Sequence, residues 1–168
     1  VINHQQPFFF SHSLPFRVPN AHPNTFFHEV EVTSYPLFKY PPYTLALATK
    51  LAEVCRERPM DILHVHYAIP HAIAAYLCTQ MLEPKQRPVT ITTLHGTDIT
   101  LLGQHPSFRS ITRFSILRSD GLTAVSHYRQ GETERNFGVD GKQIRVIPNF
   151  GDTDLYRRGR VPCHRVKL

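Results

Sequence analysis

The residues best equipped for chemistry stand where short apolar runs give way to polar groups: His66-Tyr67, His95-Gly96-Thr97-Asp98, Ser126 and Asn149. His95 can donate or accept a hydrogen bond near neutral pH. Gly96 lacks a Cβ, so the backbone there can turn tightly and come close to a ligand. Thr97 and Asp98 can hold a ligand, and can equally cap a following helix. Together these types suit recognition of a small polar or anionic molecule, with His95 nearest to any reaction. His64, His66 and His71 add imidazoles close by. Alternation along a strand is taken to send His64 and His66 to opposite faces. No cysteine or carboxylate completes a metal-binding set with them, so no metal is expected and packed core histidines are the plainer reading.

The elements that must position these groups follow from the apolar pattern. Residues 62–66, 89–94, 121–125 and 144–147 read as short strands, the second β-branched almost throughout. Residues 8–11 form a candidate strand with a loop over 14–19, and 26–32 alternate apolar and polar as a strand does. Pro36, Pro41 and Pro42 punctuate an aromatic connection. Leu45, Leu47, Ala48, Leu51, Ala52 and Cys55 lie at helical spacing, and further helices are expected over 72–81, 110–118 and 127–137. Short strands alternating with longer helices predict an α/β, Rossmann-like domain with a mostly parallel sheet flanked by helices. Ligands of such sheets bind beyond the carboxyl ends of the strands. All four polar points lie there.

The 168 residues suffice for one domain, and 41% hydrophobic with 19% charged residues is ordinary globular composition. No apolar run is long enough to span a membrane, and residues 1–10 lack the cationic start of a signal peptide. Three cysteines without CxxC spacing argue against a disulfide framework and for the cytoplasm, with Cys55 and Cys78 read as buried thiols. The net charge of +6 gathers at Arg157, Arg158, Arg160, Arg165 and Lys167 without any nucleic-acid motif, so no nucleic-acid partner is expected. The chain has no GxGxxG, Walker, GxSxG or DxD sequence. A self-contained dinucleotide or P-loop enzyme, a nucleophile-elbow hydrolase and a metal-bridged diphosphate site are therefore disfavoured.

Several blocks resemble a particular group. The run from Glu29 to Tyr43, then His64-Val65-His66-Tyr67-Ala68-Ile69-Pro70-His71-Ala72, then Thr93 to Thr100 are similar to the bacterial N-acetyl-α-D-glucosaminyl L-malate synthases. Ser119 to Ser126 and Ile147-Pro148-Asn149-Phe150 continue the similarity in order. The wider group is the retaining, two-domain GT-B glycosyltransferases. The resemblance implies transfer of N-acetylglucosamine from its UDP donor to the hydroxyl of L-malate, the first step of bacillithiol synthesis. It implies neither metal nor other cofactor, and a front-face route in which the leaving phosphate takes the acceptor's proton. His95 would then position and stabilise charge, Tyr67 and Thr97 would bind the acceptor, and Lys39, Asp98, Ser126 and Asn149 would edge the cleft. For Lys39 a solvated lysine is the plainer reading.

Departures from the group are also plain. Its opening strand with a Gly-Gly-Ser-Gly loop is not matched here, nor is a C-terminal donor domain. Residues 1–157 are therefore expected to be a partial acceptor-side domain and 158–168 a basic tail outside the family. Such a fragment is expected to be inactive alone, with an exposed sheet edge. Members tend to associate through this kind of domain, which makes a homo-oligomer a candidate state. Alternatives are a non-catalytic remnant, a ligand-binding module, or a GT-B transferase with another acceptor.

Overall fold

The computed structural model describes residues 2–3, 6–11 and 25–153. Among them seven strands form one sheet in the order β3-β2-β1-β4-β5-β6-β7. The strands are β1 (Ile2–Asn3), β2 (Gln6–Ser11), β3 (Phe26–Glu29), β4 (Ile62–His66), β5 (Val89–Leu94), β6 (Gly121–Ala124) and β7 (Ile144–Val146). The helices are α1 (Tyr43–Glu57), α2 (Ile73–Gln80), α3 (Thr97–Thr100), α4 (Pro106–Leu117) and α5 (His127–Phe137). Strands β4 to β7 pair in parallel, as do β2 and β3. Strand β1 alone runs antiparallel to both its neighbours, facing Pro7 and Gln6 on one side and Ile62 on the other. Strand β1, two residues long, thus joins the β2–β3 pair to β4. This is the parallel, helix-flanked α/β sheet that the alternating pattern predicts.

Local chemistry accounts for most boundaries. Strand β5 keeps its expected limits because Val89, Thr90, Ile91, Thr92 and Thr93 all favour extended backbone. Helix α5 opens on Ser126, whose hydroxyl accepts the Arg129 N–H, and closes on Gly138 in the left-handed region at φ 65°. Helix α4 starts four residues before its expected position. Pro106 occupies the first turn, where no N–H is needed, and the His105 ring caps the Ser107 N–H. Helix α2 is shorter than the expected 72–81, because a wide turn over Ala68–Ala72, containing a cis Ile69–Pro70 peptide, precedes it. Strand β3 stops at Glu29 rather than residue 32, where β2 also ends, although the Val30 N–H still reaches Ser11 O at 2.8 Å. The strands expected over 121–125 and 144–147 each end one residue early. The loop expected over 14–19, Cys163 and the basic tail lie outside the described residues.

Two apolar clusters hold these layers. One joins Phe8 and Val30 to Leu47, Leu51 and Cys55 of α1, Leu63 and Val65 of β4, and Ala75 and Cys78 of α2. The other gathers Leu94, Ile99, Ile116, Leu122, Ala124, Phe137 and Ile144 under α4 and α5. Cys55 and Cys78 are buried thiols, as expected, and the hydrogen bond with Cys55, followed by burial, pushes Cys78 up. Among the described residues no helix is long and apolar enough to cross a membrane.

Candidate functional site

Parallel pairing sets His66 of β4 opposite Thr93 of β5, so both strands deliver their last residues to one edge. Side chains two apart on a strand share a face. His64 and His66 therefore lie on the same face, against the expectation of opposite ones, with ring centroids 4.8 Å apart. His95 continues the row, its ring 5.0 Å from His66 and 4.8 Å from Tyr67. His66 Nδ1 and His95 Nε2 share a hydrogen bond of 2.7 Å. Behind them His64 Nε2 meets Thr93 Oγ1 at 2.7 Å, and Thr93 meets Thr123 of β6 at 2.6 Å.

Backbone carbonyls fix part of this row. His71 Nδ1 stands 2.6 Å from His66 O, which can only accept, so that nitrogen carries the proton. Its Nε2 then faces the Tyr43 hydroxyl at 3.4 Å as an acceptor. Partial burial, followed by repulsion from neighbouring imidazoles, holds His66 at about 4. Burial also lowers His64. His64 and His66 are thus neutral, hydrogen-bonded members of the row near pH 7. It borders a cleft of about 520 Å³ walled by Phe8, Phe10, Tyr43, Leu47 and Leu63. Among the described residues no three His, Cys, Asp or Glu side chains converge as metal ligands.

Two strand-end turns are fastened to each other by Asp98. Its side chain is 1% exposed, and its two oxygens accept the Gly96 N–H at 2.9 Å and the Ala68 N–H at 2.8 Å. Asp98 therefore faces inward as a clamp rather than lining the cleft edge. Tyr67 precedes Ala68 with φ 75° and ψ 135°, a left-handed setting that a tyrosine adopts only at a cost. That backbone carries its ring over His95. Gly96 has φ 141°, and its carbonyl accepts the Ile99 and Thr100 N–H groups. Thr97 begins α3 on the exposed side of the same loop.

The remaining expected residues separate from this group. Ser126 is engaged as the α5 cap. Asn149 is exposed beyond β7. Lys39 is exposed with its ammonium 5.6 Å from the Tyr40 ring centre, and no hydrogen bond joins it to the histidine row among the described residues.

His66, named at the strand end from the sequence, supports His95 directly, and the two-residue period places it on the face of His64. Sequence reasoning passed over one neighbour, Arg129. Arg129 lies against Gly96, where an added Cβ would sit 2.6 Å from its Cζ. A cation in a helix's first turn without an acidic companion is the signal that was available for it.

The parallel, helix-flanked α/β sheet that carries this edge is a fold found in glycosyltransferases. The family model for Glycosyltransferase Family 4 matches residues 6–155, and the chain belongs to that family. Among curated proteins it is similar to the N-acetyl-alpha-D-glucosaminyl L-malate synthase of Bacillus anthracis, 51% identical over 148 residues. That match covers 88% of this chain and 38% of the relative, so the chain spans well under half of the relative's length. An uncharacterised glycosyltransferase of Methanocaldococcus jannaschii is 27% identical over 100 residues, covering 60% of this chain and 27% of that protein. The crystal structure of a glycosyltransferase from Rickettsia africae ESF-5 superposes with a TM-score of 0.56 at 24% identity, over 77% of this chain and 31% of that one. This last likeness supports the GT-B-type fold.

Proposed function

We propose that this chain supplies the acceptor side of a retaining glycosyltransferase that moves N-acetylglucosamine from UDP-N-acetylglucosamine to the hydroxyl of L-malate, the first step of bacillithiol synthesis. The observation that carries this reading is 51% identity to a protein of that name across the residues that build the histidine row and the Asp98 clamp. In the reaction the bond from the anomeric carbon to the diphosphate breaks. The malate hydroxyl oxygen bonds to that carbon on the same face, and its proton passes to the leaving phosphate. No protein base is needed, which suits a row whose strand-end imidazoles are already committed to hydrogen bonds.

His95 holds the sugar or acceptor as positive charge grows at the anomeric carbon. Tyr67 and Thr97 take the acceptor, Asp98 and Ser126 fix the loops that carry them, and Lys39 and Asn149 stand at the rim. In this reading residues 1–157 belong to a partial acceptor-side domain and 158–168 to a basic tail outside the family. The reading includes a cytoplasmic setting, self-association, and neither metal nor nucleic acid.

The test joins this chain to the donor-side remainder of the Bacillus anthracis relative and supplies UDP-N-acetylglucosamine with L-malate. An α-linked malate glycoside is expected. Product with another hydroxy acid but not malate would replace the acceptor, and no transfer with any acceptor would overturn the reading. His95→Ala should lower turnover about 100-fold, as loss of one positioned donor does. Unchanged turnover removes His95 from the site.

A further inference from the structure

We infer that Arg129 is the group that seats an oxyanion of the ligand, carboxylate or phosphate, at the Gly96 loop. The inference rests on the glycosyltransferase reading above and adds to it a specificity-determining residue. Its starting point is a close approach. The Arg129 guanidinium packs on the bare Cα of Gly96, with Cζ and Nε each 2.6 Å from where a Cβ would stand. Gly96 lies between His95 and Thr97, so this cation sits at the centre of the loop that bears the candidate ligand contacts. A side chain at residue 96 would expel it.

The donors of Arg129 are nearly unused. A guanidinium offers five N–H groups in a planar fork that matches carboxylate and phosphate oxygens. Among the described residues its guanidinium donates to Thr100 Oγ1, from Nη1 at a long 3.4 Å. Four arginines of the domain donate instead to carbonyls: Arg56 to Met81 O at 2.7 Å, Arg87 to Leu82 O at 3.2 Å, Arg109 to Asn136 O at 2.9 Å and Arg113 to Phe137 O at 3.0 Å. Among the described residues the ion pairs are Lys50–Glu53 and Arg135–Glu132, so no carboxylate stands at ion-pair distance from Arg129, and Glu132 attracts it only weakly, from further off. Glu132, one turn further along α5, is held by Arg135 and Asn136.

The placement is also unfavourable in isolation. Arg129 is half-buried in the first turn of α5, where the helix dipole opposes a cation, and that turn holds no acidic residue. An anion bound against Gly96 would relieve both the dipole and the lost hydration, and the bidentate fork would fix its plane.

The experiment follows the Arg129 Nε–Hε resonance of this chain by NMR during separate titrations with L-malate and inorganic pyrophosphate at millimolar concentration. A shift with malate, together with loss of malate binding by calorimetry in Arg129→Gln, assigns a carboxylate seat. A shift with pyrophosphate alone assigns a phosphate seat, and neither shift overturns the inference. If Arg129→Gln does not fold, the wild-type titration decides, and Arg129→Lys should weaken binding about tenfold because the fork is lost. In the joined protein, Arg129→Gln should raise KM for the matching ligand about tenfold while leaving the other ligand's KM within about twofold. Equal KM values for variant and wild type would also overturn it. A wild-type protein that transfers nothing to malate, yet whose Arg129 resonance moves with an anion, defeats the reaction proposed above and leaves this seat standing.

Discussion

The two parts of the sheet are held by different means. Strands β4 to β7 form a continuous parallel ladder with five, four and three facing residue pairs at successive junctions. The β2–β3 pair has four facing pairs of its own, yet reaches β4 only through β1, where Ile2 alone faces Ile62. Side chains make up the difference. Phe8 is 1% exposed, stacks on Phe26 at 4.9 Å, and shares the core cluster of Leu63 and Val65. Arg58, just past α1, stands 5.7 and 5.2 Å from those two rings. Backbone register thus fixes the part that carries the candidate site, whereas packing fixes the part beside it. Polar chemistry needs the first kind of precision, because hydrogen bonds fail over distances that apolar contacts tolerate.

The sharpest way to break this contrast is Phe8→Ala. Loss of a buried phenyl should cost about 4 kcal/mol. Hydrogen exchange should then accelerate in β2 and β3 while β5 and β6 keep their protection. Uniform acceleration across the sheet would show that the two parts are one cooperative unit.

Asp98→Ala attacks the other part. It strands two buried N–H groups, those of Gly96 and Ala68, and should cost about 3 kcal/mol by chemical denaturation. Asp98→Asn keeps one acceptor oxygen but turns an NH2 toward the other N–H, so it should recover only part of that loss. A full recovery would mean that one of the two hydrogen bonds carries the clamp.

A smaller effect follows from His66. Its folded value near 4 lies below the ordinary 6.5, so the unfolded chain binds more protons between those values. Stability present above pH 6.5 is therefore lost as pH falls toward 4. The full shift would amount to about 3 kcal/mol, and exposure of the ring reduces this to about 1 kcal/mol. His66→Gln should flatten that slope in Tm against pH. An unchanged slope would assign it elsewhere.

Tyr67→Gly is expected to shift stability least and in the opposite direction. Release of the left-handed tyrosine should gain about 1 kcal/mol, since its ring is partly exposed and loses little packing. The same change should weaken acceptor binding, measured as a higher KM for malate in the joined protein. Lower stability would show that the ring stack, not the ligand, justifies the strain.

The contrast also explains what could be read from the residues beforehand. Strand β5 and helix α5 were legible because local signals coincide with their ends: a β-branched run in one, a serine cap and a closing glycine in the other. The strand-end loop at His95 followed from the same periodicity. Features that depend on tertiary approach were not. Asp98 reads as a helix-capping or ligand-binding residue until Ala68, thirty positions earlier, is brought to it. Arg129 reads as one more solvated charge until Gly96 arrives beside it. His66 was named at its strand end, and a misapplied strand period turned it away from His64. The bridging role of β1 had no signal in a two-residue segment.

The Asp98 carboxylate has a consequence for how such a domain can change its ligand. Tyr67 rides on one turn and Thr97 on another, yet a single side chain ties both turns to the same point. They form a yoke: neither can be lengthened, shortened or re-aimed without dragging its counterpart. Exchanging one loop between related enzymes should therefore transplant poorly, whereas the segments 66–72 and 95–100 moved as a pair should carry their preference with them. Selection acting on this edge would meet one heritable unit, assembled from stretches the chain keeps far apart.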